Sequence, residues 1–444
     1  MLPYYALLFV TPFHYDPRLG MILFSVGPLI VTPVKLLGVL AVVAAWLAPT
    51  PQASPPRLRN PLPLLFLPFA LIPIVVSLAF GFGLPADQNQ IGQLITATLL
   101  FAATRPLVRT NDRIFKTIRA LVLGFAFSSL WVYKQYFINH LSRPGGVENE
   151  SNYEALMLLL CLPMAFWMTK YEQSSRWRRI GLGSCLLLAG GILLTESRTG
   201  IIAGSAIGLL TALASKRKLL NIAFLAFIAL AATTFGPNGL SERFHSIKFT
   251  GNAENGDEQS SRVHVELLKA GIRMMEAHPM FGIGMGRFKE LAPEYNPKIL
   301  QVSNRSYIAH NTFIQIGSER GIPALLLFFA MLLVTFRNFR LARLSSNMSL
   351  SALSLSMQIS LIGIVIANLT VTADLLPFWL LMILSQNCRE LAISEVNVNT
   401  VSALATNPRS SPDSVDTLHS NIFAHVQLHK SPRRIAVKPV SPYC

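Results

Sequence analysis

Residues 309–340 read AHNTFIQIGSERGIPALLLFFAMLLVTFRNFR. Ile322–Phe336 carries no charged side chain, Arg337 and Arg340 follow it, and His310, Asn311, Glu319 and Arg320 precede it. A helix needs about 20 apolar residues to cross a hydrocarbon core, and arginines collect on the cytoplasmic flank of a span. The stretch therefore reads as a helix crossing a membrane from outside to inside, with polar groups gathered at its outer lip.

The same pattern recurs along the chain. With 52% hydrophobic and 14% charged residues among 444, the composition lies well below the roughly 25% charge of soluble domains. The apolar runs do not alternate in the way transmembrane barrel strands do. The expected fold is all-α and polytopic, with about twelve spans. Their centres lie in Leu2–Phe13, Val34–Leu47, Leu64–Phe82, Ile91–Ala103, Phe115–Ile138 and Tyr153–Thr169, then in Gly181–Leu194, Gly200–Ala214, Leu219–Phe235, Ile322–Phe336, Leu350–Val371 and Leu375–Ser385. Met1–Phe13 lacks the basic flank and cleavage site of a signal peptide.

Arginines and lysines orient the chain. Arg57 and Arg59, the group Arg105, Arg109, Arg113 and Lys116, the group Lys170, Arg176, Arg178 and Arg179, the run Lys216-Arg217-Lys218, and Arg337, Arg340 and Arg343 all fall on one side, which is read as cytoplasmic. Much of the net charge of +16 is then a topology signal, and no nucleic-acid partner is called for. One long loop, residues 236–308, is expected outside. The four cysteines fall in spans or on the inner side, so no disulfide framework is implied for that loop. The expected organisation is a membrane domain over residues 1–395 and a polar, disordered cytoplasmic tail over residues 396–444.

Polar groups at the lips of spans are costly and are site candidates by default. In LLTESRTGIIAG, Arg198 forms a short outer turn with Glu196 and Ser197; a lone interfacial Arg more often anchors to headgroups, but small neighbours let this one be buried. In SSRVHVELLKAGIRMMEAHPMFGIGMGRF, Ser260 or Ser261 is expected to cap a helix that stops at Pro279. Arg262, Glu266, Lys269 and Arg273 would share its polar face; Val263, Leu267, Ala270 and Met274 form an apolar face suited to lying on a membrane surface. The glycines at 282, 284 and 286 make a tight turn and, lacking a preceding strand, are not a dinucleotide fingerprint. The third place is His310-Asn311, followed by a helix over 312–319 that Gly321 and Pro323 break. The sequence holds no HExxH and no Asp-x-Asp, so no metal is expected. Planar arginine donors match phosphate oxygens, and a histidine titrating near neutrality can act as base. That combination suits an anionic phosphate leaving group and a deprotonated attacking hydroxyl.

At these residues the chain resembles the O-antigen ligase and polymerase superfamily. The family's motif, His then Asn, nine residues, and Gly, is met by His310-Asn311 and Gly321, while Ala324 departs from its last position. TESRTG resembles the family's Ser-Arg turn, SRVHVELLKAG…HPMFGIGMGRF its second Arg and following Pro-Gly segment, and SNYEALMLLLCLP the start of an earlier span. The resemblance implies a GT-C-like glycosyltransferase of the bacterial inner membrane with its site on the periplasmic face and no cofactor. It implies inverting transfer of a glycan from an undecaprenyl-pyrophosphate carrier to a glycolipid, glycan or glycoprotein hydroxyl. Arg198 and Arg262 would hold the pyrophosphate and His310 would activate the acceptor; Arg287, Arg305, Asn311 and Glu319 are further substrate-binding candidates. The ligase reading leads over a polymerase and a protein O-oligosaccharyltransferase. Outside this class, a transporter would instead show ionisable pairs near mid-membrane and internal repeats.

Overall fold

The structure, a computed structural model, describes residues 1–13, 24–26, 29–48, 61–79, 88–147, 149–219, 221–222, 256–302, 308–372 and 376–405. It divides into two compact units, Met1–Ser394 and Glu395–Cys444. The first unit is a helical bundle. In chain order its elements are α1 (Leu2–Val10), the two-stranded hairpin β1 (Phe24–Val26) and β2 (Leu29–Val31), α2 (Pro33–Leu47), α3 (Leu62–Ala79), α4 (Gln88–Leu107) and α5 (Asn111–Phe137). There follow α6 (Ser151–Tyr171), α7 (Ser175–Leu194), α8 (Arg198–Leu213), α9 (Gly256–Ala277), α10 (Phe288–Tyr295), α11 (Lys298–Val302), α12 (Thr312–Ala342), α13 (Met348–Ala367) and α14 (Leu376–Ala405), of which the part up to Ser394 belongs to this unit.

Five described helices, α5, α6, α7, α12 and α13, are long and apolar enough to cross a membrane. Shorter apolar helices cover Leu2–Phe13, Pro33–Leu47, Leu62–Val75, Leu94–Leu107 and Arg198–Leu213. The span expected at 219–235 lies, but for its first residues, outside the described residues, as do residues 236–255 and 303–307 of the long loop and the tail after residue 405. The small antiparallel hairpin, with Phe24 opposite Val31, corrects the purely helical expectation. It occurs where Gly27-Pro28 interrupts the apolar sequence between α1 and α2.

Packing explains why the bundle holds together. α6 is its hub, packed against α5, α7, α8 and α13. Trp379 lies edge-on to Phe66, Phe69 and Phe328 at centroid separations of 5.2, 5.7 and 6.2 Å, tying α3, α12 and α14. Such edge-to-face pairs add about 0.5–1.5 kcal/mol each beyond area burial.

Polar ties cluster at the two ends. At one end, which we call the basic end, Arg119 grips the buried Glu172 through Nε and Nη2, both at 2.7 Å. Arg105 pairs with Glu390 at 2.9 Å, and Trp167 donates to the Ser349 carbonyl. At the other end, Asn152 accepts from Ser197, Thr199 meets Thr370, and the Asn311 amide donates to Thr372. Every basic loop named from the sequence that falls among the described residues sits with the first group, and every polar lip with the second. Among the described residues the ion pairs Arg119–Glu172 and Arg105–Glu390 lie at the basic end.

Candidate active site

α12 places His310. Asn311 is its N-cap: the side-chain oxygen accepts from the Phe313 and Ile314 amides at 3.0 and 3.1 Å, and Nδ2 donates to the Leu369 carbonyl at 3.0 Å. Such caps contribute about 0.5–2 kcal/mol. Thr312 donates its hydroxyl to Asn368 Oδ1 and its amide to the Asn368 carbonyl. The residue just before the cap is thus driven into a left-handed turn, with His310 at φ 48°. A non-glycine residue held there costs on the order of 1–3 kcal/mol and persists only where its surroundings dictate it. Among the described residues the other such positions are His140, Asn149 and Glu196, all in turns at this same end.

Glu319, expected to bind substrate, is 1% exposed and turned into the protein. Its carboxylate accepts from the Phe288 amide at 3.2 Å and from Gln315 Nε2. Gln315 in turn accepts from the Ala309 amide at 3.0 Å. The Glu319 carboxylate therefore braces the backbone that presents His310. Asn311 likewise spends its side chain on capping.

The Glu-Arg-Gly step before the span has a structural cause. Gly321 has φ 83° and ψ 167°, a kink within α12. A Cβ there would sit 2.3 Å from the Met280 carbonyl oxygen, and one on Gly282 (φ 68°) 2.4 Å from the Glu319 carbonyl carbon. The glycine turn after α9 docks along this kink: Ile283 and Gly284 donate to the Ser318 and Glu319 carbonyls, and Ile322 donates to Pro279. Arg320 is buried beside it, its guanidinium 4.9 Å from the Phe69 ring centre.

This docking brings α9 over His310. The helix begins at Gly256, earlier than Ser260 or Ser261. Leu267, Ala270 and Met274 are fully buried with Ile283, Phe288 and Ala309. That face is covered by protein, which corrects its assignment to a membrane surface. Val265, Leu268 and Ile272 remain exposed on a third, apolar face.

His264 projects beside the buried face, and its ring stacks on His310 with centroids 4.3 Å apart and planes 11° from parallel. The sequence reading missed this residue, because one imidazole between two valines resembles ordinary helix filler. Burial, and then the neighbouring His264, push His310 down to about 4. Burial lowers His264 too, followed by the charge of Arg198. Arg198 opens α8 behind its Ser197 cap, whose oxygen accepts from Gly200 at 3.1 Å. His310 and His264 thus form a stacked pair, with Arg198 near enough for its charge to act on His264. Arg262 is exposed, and two residues at about 100° each put it roughly 200° round α9 from His264. Arg287 is half-buried at the start of α10, its guanidinium 3.5 Å from the Ile283 carbonyl. Arg305 lies outside the described residues.

No group of three or more His, Cys, Asp or Glu able to hold a metal occurs among the described residues. A cavity of about 920 Å³ opens at the basic end, lined by Trp46, Phe66, Arg105 and Glu390 among others; the histidine pair does not line it.

Residues 183–329 match the family model described as O-antigen ligase, and the match supports placing the chain in the O-antigen ligase superfamily. No curated protein matches the chain. The matched segment contains Arg198, Arg262, His264, His310 and Gly321. Such a family is that of a membrane glycan enzyme of the ligase or polymerase kind.

Proposed function

We propose that the chain transfers a glycan from a polyprenyl-pyrophosphate carrier to an acceptor hydroxyl at the outer face of a bacterial inner membrane, acting as an O-antigen ligase. The observation that carries this reading is the grouping of Arg198, His264 and His310 at the end of the bundle opposite its basic loops. Helices α6, α8 and α12 all begin at this end, and helix starts favour anions. A pyrophosphate headgroup would lie there with its lipid tail in the bilayer. Arg198 holds the phosphate oxygens, with Arg262 joining if its long side chain reaches round α9. The acceptor oxygen attacks the anomeric carbon as the sugar–phosphate bond breaks. The acceptor proton passes to His310, and the bonding electrons leave with the pyrophosphate. Attack from the face opposite the leaving group inverts the anomeric centre.

The test is transfer of carrier-linked glycan by purified protein in lipid. His310→Gln keeps a hydrogen-bonding group but cannot take the proton, so it should lose about 10²–10⁴ in rate. Wild-type turnover by this variant would remove the base role. Loss of wild-type activity in EDTA would remove the metal-free mechanism. A polymerase would differ in vivo: a deletion strain would accumulate carrier-linked single repeats rather than carrier-linked long glycan.

A further inference from the structure

We propose that His264 is a positioning residue for His310, a second imidazole whose flat face fixes the plane of the base and leaves the ring edge to the acceptor. This rests on the base role assigned to His310 above. The geometry is that of a deliberate stack, 4.3 Å between centroids and 11° between planes, and it joins two separate elements, the middle of α9 and the turn before α12.

Three features make the stack more than packing. The His310 backbone sits in a left-handed turn at φ 48°, so its ring direction is set by neighbours rather than by ordinary helix rotamers. His264 is held from behind, since α9 is anchored by Leu267, Ala270 and Met274 and by the glycine turn on α12. The charged groups about the pair also bear on both rings. Arg198 on α8 opposes a charge on His264. On α9 itself, Glu266 is engaged by Lys269 at 2.7 Å and Asn296 at 2.8 Å, and Arg262 is a further cation. On α12, the Glu319 carboxylate is spent on Phe288 and Gln315. His264 in turn opposes a charge on His310, so the stack holds the base in its neutral, proton-accepting form as well as in its plane.

The reading separates variants that a merely structural role would not. His264→Phe keeps a flat ring and cannot titrate; His264→Leu fills similar space without one; His264→Ala leaves a gap. With carrier-linked glycan as donor, the Phe variant should keep kcat within a few-fold of wild type. The Leu and Ala variants should lose about tenfold or more in kcat with little change in KM, because misplacing a reacting group by an ångström costs up to about 10²-fold. The pH profile gives a second readout. His310 must be neutral to act, and in the Phe variant the opposing imidazole is gone, so the acid limb of kcat/KM should move to higher pH. Leu and Phe variants of equal activity, or an unmoved acid limb in the Phe variant, would overturn the proposal. His310→Gln run alongside separates the two claims. Wild-type turnover there removes the base role itself, whereas an inactive Gln variant beside a fully active His264→Ala enzyme removes only the positioning role.

Discussion

Arg198 is the residue on which the phosphate assignment turns. A guanidinium offers a planar fork of donors that matches two phosphate oxygens at once, and a lysine offers the same charge from a single point. Arg198→Lys should therefore insert and accumulate normally but lose about 10²-fold in kcat, the scale of removing one donor from a developing oxyanion. Transfer assays on purified protein, with expression level as control, check this; full activity would make Arg198 a headgroup anchor. Arg198 bears on the base only through His264, whose charge it opposes. Buried and stacked on His264, His310 is pushed down to about 4, so near neutral pH it is in the proton-accepting form but is a weak base. An anionic donor seated against the pair supplies opposite charge, which raises a histidine toward the range where it accepts protons well. Donor binding and base strength are coupled through the site's own electrostatics.

At the scale of elements, the site depends on one joint, the docking of the glycine turn after α9 onto the kink in α12. Gly321 has no room for a Cβ, with the Met280 oxygen 2.3 Å from where it would lie, and its φ of 83° is open only to glycine. Gly321→Ala should cost about 3 kcal/mol or more in strain and lost contacts, read as a lowered Tm of protein in detergent together with loss of transfer. Gly183→Ala is the matched control: nothing lies within 4 Å of its added methyl, so Tm should hold. An unchanged Tm for both would mean that the joint bears no strain. This joint also marks what the residues alone disclosed. The His310-Asn311 and Gly321 spacing was readable because an imidazole and a helix breaker at an apolar lip are costly. The second bond of the Asn311 side chain, to the Leu369 carbonyl, and the inward turn of Glu319 toward Phe288 were not readable, since both depend on partners outside the local sequence. His264 escaped for a related reason. Its meaning comes only from the ring it stacks on, and nothing in Val263-His264-Val265 announces that ring. Nor does the stretch Asn368–Thr372 look like more than the polar end of an apolar span, yet its carbonyls and hydroxyls hold the turn that presents His310.

For the whole molecule the question is which way the bundle faces. Charge asymmetry supplies the argument: the described turns at the basic end carry Arg105, Arg109, Arg176, Arg178, Arg179, Lys216 and Arg343, whereas those at the site end carry Arg143, Arg198 and Arg287 together with the acids Glu150 and Glu196 and the paired hydroxyls, amides and imidazoles. Moving arginines across a bilayer is costly, and loops rich in them stay on the cytoplasmic side. On the proposed orientation the histidine pair faces outward, where a carrier-linked glycan and its acceptor would meet. Single cysteines test this in a chain whose native cysteines are replaced by serine or alanine. Lys289→Cys sits exposed on α10 beside the site, and Ser174→Cys sits exposed between α6 and α7 at the basic end. In intact cells an impermeant maleimide should label the first and spare the second, and permeabilised cells should label both. Labelling of position 174 alone would turn the molecule over and place the histidine pair in the cytoplasm. The proposed transfer at the outer face would then fall, however well the site's geometry suits the chemistry.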